Sequence, residues 1–171
     1  TAPALASAAS ASVSVSAGTG ELLAAAVYFS GTALGDPGVA GAGYQMFTSS
    51  GNSVAEGSVR VNGRCAPDQA EYVGLIQGLS AALRMGVQVL EVFGASELVV
   101  RQMAGLAHPQ AQQPGLRVLH ARALSLVRRF RKIAFKWIAR TQNGGAESLG
   151  RQAMQHPEQA LEAADWFRAS P

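Results

Sequence analysis

The chain has one cysteine and three histidines, and its apolar runs are all shorter than a membrane-spanning helix. Because Cys65 is alone, an internal disulfide is excluded. His108, His120 and His156 are far apart and have no cysteine at ligand spacing, so we predict no metal site. A spanning helix needs about 20 apolar residues, so we expect no membrane partner. Nothing in the composition indicates a cofactor or a small-molecule substrate.

Acidic residues are missing from one long stretch, residues 117–140, although the net charge of the whole chain is only +3. That stretch holds eight of the 14 lysines and arginines: Arg117, Arg122, Arg128, Arg129, Arg131, Lys132, Lys136 and Arg140. A basic block without acids favours binding to a polyanion, most often RNA or DNA. The alternative is the solvated face of a helix. The interleaved Phe130, Phe135 and Trp137 have the spacing of core residues, with base stacking as the alternative.

Charged and aromatic residues are also missing from residues 1–20, which are almost entirely small. Such a segment buries too little apolar surface to offset the entropy lost on ordering. We therefore expect residues 1–21 to form a low-complexity arm that a neighbouring molecule orders. The composition resembles the trailing part of an organellar transit peptide but lacks arginine, and a plain linker is the alternative.

The remainder predicts one α/β domain over residues 22–155, followed by a C-terminal helix over residues 156–171. Strands are expected at 23–29, 43–48, 53–61, 87–93 and 133–138. Helices are expected at 67–85, 97–104 and 116–130, then from 146 and from 157. Gly35-Asp36-Pro37-Gly38 is expected to form a turn, in which Pro37 fixes its own φ and Gly38 tolerates a positive φ.

Four stretches carry a resemblance to a known family. They are Val27-Tyr28-Phe29-Ser30-Gly31 with the following Gly-Asp-Pro-Gly turn, Ala70-Glu71-Tyr72, Phe93-Gly94-Ala95-Ser96, and Asn143-Gly144-Gly145-Ala146-Glu147-Ser148-Leu149. In this order and spacing they resemble the ribonuclease H family over about residues 24–155. The resemblance implies a five-stranded mixed sheet with the second strand antiparallel, helices on both faces, and four acids gathered at the strand ends.

The family's four acids hold two Mg²⁺ ions about 4 Å apart around the scissile phosphate. At the matching positions this chain has Ser30, Glu71, Ala95 and Glu147. Serine cannot replace a carboxylate that bridges two metals, and alanine has no side-chain ligand atom. The formal charge of the four positions therefore falls from the family's −4 to −2. We therefore predict that the chain is not an enzyme, with no catalytic residues and no metal.

These features together predict an inactive ribonuclease H-like protein that acts as a structural RNA-binding or scaffold subunit of a large ribonucleoprotein. The combination favours an organellar ribosome, mitochondrial rather than chloroplast, with ribosomal RNA and neighbouring protein subunits as partners. One alternative is a protein–protein adaptor in another assembly. The other is an active RNA–DNA hybrid nuclease with a relocated metal site using Asp36, Asp68 or Glu97.

Overall fold

A computed structural model describes residues 23–110 and 113–168 of the chain. The expected arm at residues 1–21 lies outside the described residues. The strands are β1 (Ala24–Ala33), β2 (Gly38–Thr48), β3 (Ser53–Cys65), β4 (Val89–Gly94), β5 (Lys132–Trp137) and β6 (Ala160–Glu162). The α-helices are α1 (Pro67–Arg84), α2 (Glu97–Met103), α3 (Pro114–Val127), α4 (Gly144–Ala153) and α5 (Ala163–Trp166). No helix in the described ranges is both long and apolar enough to cross a membrane.

The strands form one mixed sheet in the order β5-β4-β1-β2-β3-β6. β2 runs antiparallel to both β1 and β3, whereas β4 is parallel to β1 and to β5. The mixed sheet with an antiparallel second strand is therefore confirmed. The sheet has six strands rather than the expected five because β6 pairs in parallel with the outer edge of β3.

The core lies between the sheet and α1, which begins with Pro67 at its first turn and ends before Gly86. Val27 and Phe29 of β1 and Leu75 and Leu79 of α1 are fully buried there. α2 and α3 extend this layer, while α4 packs against β1, β2 and β3. Helices thus lie on both faces of the sheet, as predicted.

The C-terminal segment differs from its prediction. We expected one helix from Pro157, but a 3-10 turn (Pro157–Gln159) leads into β6 and then into the four-residue helix α5. The three residues of β6 satisfy backbone groups on the edge of β3, which a helix cannot do. Trp166 still packs into the core, as one of the expected docking residues.

The first turn also differs in one detail. Gly35, rather than Gly38, has the positive φ, at 101°. Gly38 is required for space instead, because a Cβ there would lie 1.9 Å from the carbonyl oxygen of Leu34. β1 and β2 are longer than predicted and run directly into this turn.

Candidate functional site

The four family positions, Ser30, Glu71, Ala95 and Glu147, lie close together near the carboxyl ends of β1 and β4. This region is here called the acid edge. Ser30 lies on β1 and Ala95 directly follows β4; their preceding residues, Phe29 and Gly94, are paired in register. Glu71 is in the first half of α1 and Glu147 in the first turn of α4. The structure therefore brings together the positions that the sequence singled out.

Glu71 is the buried carboxyl group of the acid edge. The start of α1 approaches β1 so closely that a Cβ on Gly31 would lie 2.2 Å from the backbone nitrogen of Glu71. Burial raises the pKa of Glu71 to about 8, although Arg140 and the backbone of Gly31 oppose the shift. Its Oε2 has no hydrogen-bond partner among the described residues. Burial therefore favours the protonated form of this carboxyl group.

Glu147 is held by arginines. Arg151, one turn later on α4, donates a hydrogen bond of 2.7 Å to Oε1 of Glu147. Arg140, in the 3-10 turn Arg140–Gln142 after β5, places its Nη1 4.0 Å from the same oxygen. The side chain of Glu147 is only 22% exposed, whereas both arginine side chains are more than half exposed. Sequence reasoning missed Arg151, although its i, i+4 spacing from Glu147 is a recognisable pairing signal.

Two further acids lie beside this edge. Burial, followed by the charge of Asp36, raises the pKa of Asp68. Asp68 in turn contributes to the raised pKa of Glu71. Within residues 23–110 and 113–168, however, no three His, Cys, Asp or Glu side chains form a group that could hold a metal ion. The residues present at the acid edge do not fit the two-metal site that the family resemblance implies.

The basic block does not form one surface. Arg128, Arg129, Arg131 and Lys132 are exposed around the turn between α3 and β5, and are called the outer basic cluster. Lys132 is in register with Val89, and Val89 with Ala24. Ser30 lies six residues further along β1, so the outer basic cluster is about 20 Å from the acid edge. Arg117 is exposed on α3, away from both.

Three other members of the block have protein partners. Lys136 pairs with Glu91 at 3.2 Å and Arg140 with Glu147. Arg122 is partly buried, and its guanidinium donates to the carbonyl oxygens of Trp166 and Arg168. We therefore correct the assignment of Arg122: it fixes the C-terminal segment to α3 and is poorly available to a nucleic acid.

The aromatic residues of the basic block are also divided between the core and the surface. Phe130 is buried and Phe135 packs against the core, as expected. Trp137 is 56% exposed, so the core assignment is wrong for it. Its Nε1 donates a hydrogen bond of 3.2 Å to the carbonyl oxygen of Ala95, which places the ring at the acid edge.

Asn143 contacts β1 beside the acid edge. It is 3% exposed and precedes α4, but it does not cap the helix with its side chain. Instead its Nδ2 donates a hydrogen bond of 2.8 Å to the carbonyl oxygen of Phe29, and its Oδ1 has no partner among the described residues. Sequence reasoning assigned Asn143 no role of its own, because a residue before a helix is ordinarily explained as a cap.

Known proteins resemble this chain over most of its length. A family model described as "Reverse transcriptase-like" matches residues 28–153. A bifunctional protein of Mycobacterium tuberculosis is 35% identical over 133 residues, and ribonuclease HI of Halobacterium salinarum is 35% identical over 127 residues. These matches cover 78% and 74% of this chain, but only 36% and 62% of the respective relatives.

Solved structures agree with these matches. The N-terminal RNase H domain of the M. tuberculosis protein superposes with a TM-score of 0.74 at 34% identity, covering 80% of this chain and 97% of the domain. RNase H1 of H. salinarum gives 0.72 at 32% identity, covering 77% and 98%. LC11-RNase H1, solved in complex with an RNA/DNA hybrid, gives 0.71 at 31% identity, covering 77% and 96%. The chain therefore belongs to the ribonuclease H family.

Proposed function

We propose that this domain binds nucleic acid without hydrolysing it, and that its acid edge contacts phosphate through arginines instead of metal ions. The observation that carries the proposal is the pair of arginines on Glu147, together with the absence of a carboxylate at Ser30 and Ala95. LC11-RNase H1 was solved with an RNA/DNA hybrid, which makes such a hybrid the first ligand to test.

Ligand chemistry at the acid edge disfavours hydrolysis. Two Mg²⁺ ions near one phosphate require several oxygen ligands at about 2.0–2.1 Å. Ser30 offers a buried hydroxyl, Ala95 has no side-chain ligand atom, and burial raises the pKa of Glu71 to about 8. Glu147 remains, and its carboxylate is already bound by Arg151.

The local charge favours contact with phosphate. Glu147 carries one negative charge, whereas Arg140 and Arg151 bring two positive charges, and both arginine side chains are more than half exposed. Glu147, Arg140 and Arg151 together therefore carry a net charge of +1. Guanidinium groups bind phosphate oxygens in a bidentate manner, so a phosphate can approach this edge directly.

The test uses the full chain and a labelled RNA/DNA hybrid of about 12 base pairs, in Mg²⁺ and in EDTA. We expect no cleavage on a gel and equal affinity under both conditions by fluorescence anisotropy. Arg140→Gln and Arg151→Gln should each weaken binding several-fold. Arg101→Gln is the matched control, because Arg101 is similarly exposed and pairs with Glu97 at i, i+4 as Arg151 does with Glu147.

Two outcomes would contradict the proposal. Cleavage that disappears in Glu71→Gln would establish the alternative of an active nuclease with a relocated metal site. Binding that requires Mg²⁺ would show that the arginines do not replace metal ions. The role in an organellar ribosome, mitochondrial rather than chloroplast, stays a prediction, as does the protein adaptor; the mass and RNA content of the native complex would test both.

A further inference from the structure

An open groove of about 620 Å³ runs along the sheet beside α4, on the face opposite α1. Its floor comes from β1, β2 and β4, one wall comes from the β2–β3 turn, and Gln142, Asn143 and Gly145 close the end at α4. We propose that this groove binds the unpaired bases of a single-stranded RNA or DNA segment. The proposal does not depend on phosphate binding at the acid edge.

The floor of the groove is aromatic. Tyr28 and Phe93 are paired in register on neighbouring strands, and their rings stack with centroids 4.8 Å apart. Phe47 meets the Tyr28 ring edge-on at 5.6 Å. All three side chains are only partly buried, so a ligand can reach the ring surfaces that do not contact one another. Aromatic side chains on an open sheet are a common platform for unpaired bases, and each stacked base contributes about 1–3 kcal/mol.

Positive charge borders the groove along β5. Lys136 is in register with Phe93 and its Nζ lies 5.7 Å from the centre of that ring. Lys132 is on the same face of β5 and is in register with Val89 at the far end of the groove. Among the described residues, Glu91 is the one acid that lines the groove, and Lys136 already pairs with it. This arrangement favours a ligand with phosphates along β5 over a basic or neutral partner.

Amide side chains supply the polar contacts that a base edge needs. Gln45, Gln142 and Asn143 all line the groove. The Oδ1 of Asn143, which is almost fully buried, has no partner in the described part of the chain. An exocyclic amino group is a donor of the type that this acceptor lacks. A duplex keeps its base faces within its own stack, so the aromatic floor favours single strands.

The experiment measures anisotropy of a labelled single-stranded RNA of about ten nucleotides with the full chain, and of the same sequence as a blunt duplex. Phe93→Leu keeps an apolar side chain but removes the ring, and should weaken single-strand binding about tenfold. Lys136→Gln should weaken it several-fold. Arg101→Gln is the control for Lys136→Gln, since Arg101 has nearly the same exposure, 54% against 53%, and also pairs with a glutamate.

The results of these measurements distinguish single-strand binding in the groove from other ligands. Much weaker single-strand binding by Phe93→Leu, with duplex binding unchanged and an unchanged melting temperature, supports the groove. Single-strand affinity that is unaffected by both Phe93→Leu and Lys136→Gln would overturn it and leave the groove to a protein partner. Equal affinity for adenosine monophosphate and the longer strand would overturn the assignment to a strand. Phe93→Leu should leave binding of the RNA/DNA hybrid at the acid edge unchanged, which distinguishes this proposal from the proposed function.

Discussion

Arg151 and Glu147 are joined by a hydrogen bond of 2.7 Å within α4, at the position where the family resemblance implies a metal-binding acid. An exposed i, i+4 pair contributes little to stability, about 0.3–0.5 kcal/mol. The pair has a larger effect on whether the Glu147 carboxylate can bind a metal ion. While Arg151 is bonded to the carboxylate, an incoming cation must displace a positively charged group. We therefore expect Glu147 to bind a metal ion only weakly.

Restoring the missing acids should restore metal binding only in part. We expect Ser30→Asp with Ala95→Asp to raise the melting temperature in millimolar Mg²⁺ or Mn²⁺, because bound metal stabilises the folded state. The unmodified chain should show no such rise. Adding Arg151→Gln should tighten the metal affinity several-fold by freeing Glu147. Equal stabilisation of the unmodified chain would show that Ser30 and Ala95 do not limit metal binding.

Glu71 should make the protein less stable as pH rises. Its pKa is about 8 in the folded state, against an ordinary value of 4.5 in the unfolded chain. Between these values the folded state binds more protons, so stability is fully present below about pH 4.5 and is lost progressively up to about pH 8. Glu71→Gln imitates the protonated form and should flatten this dependence. The gain at pH 8 should be on the order of a few kcal/mol, measured by urea unfolding at several pH values.

Glu97→Gln provides the control for this experiment because Glu97 is exposed at the start of α2. Its stability profile against pH should follow that of the unmodified chain. A Glu71→Gln profile with the same slope as the unmodified chain would mean that Glu71 is ionised in the folded protein. In that case the acid edge would carry one more negative charge than we infer.

The outer basic cluster should act as a separate electrostatic contact. Changing Arg128, Arg129, Arg131 and Lys132 to glutamate should weaken RNA binding. It should also flatten the dependence of log affinity on log salt, by about one unit for each phosphate that the protein no longer neutralises. Arg122→Gln should leave that slope unchanged, because Arg122 is bonded to the C-terminal backbone. A quadruple variant that binds RNA with the original affinity and slope would favour the protein-adaptor hypothesis.

Much of the fold was predictable because local signals and tertiary packing agree. Pro67 at the start of an apolar helix, Gly86 after it, and the β-branched run of β4 all indicate the elements that form. The positions of the acid edge followed from the same landmarks. β6 was not predictable in this way: residues 160–162 form a strand because the edge of β3 offers partners, and that pairing is non-local.

Neither the groove nor the separation of the basic block into distinct surfaces could be predicted from the sequence, for a related reason. Sequence spacing places Lys132 and Lys136 on one face of a strand, but it does not say that Phe93 and Tyr28 lie beside them in register. Likewise, nothing local distinguishes Arg122, bonded to Trp166, from Arg128, which is exposed. The partner of a long charged side chain is decided by elements distant in sequence.

The contact between α4 and β2 should be sensitive to the addition of a single methyl group. A Cβ on Gly43 would lie 2.6 Å from the carbonyl oxygen of Ala146 and 2.8 Å from the backbone nitrogen of Gly150, both in α4. Gly43→Ala must therefore push the helix away from the sheet, and we expect a loss of about 1–3 kcal/mol in the free energy of unfolding. Because Glu147 is on the displaced helix, binding of the RNA/DNA hybrid should weaken as well.

Gly144→Ala is the matched control: no described atom lies within 4 Å of its added Cβ, and the higher helix propensity of alanine should stabilise the protein slightly. Urea unfolding and anisotropy on both variants check the prediction, and a Gly43→Ala protein as stable as Gly144→Ala would show that α4 does not pack on the sheet at this position.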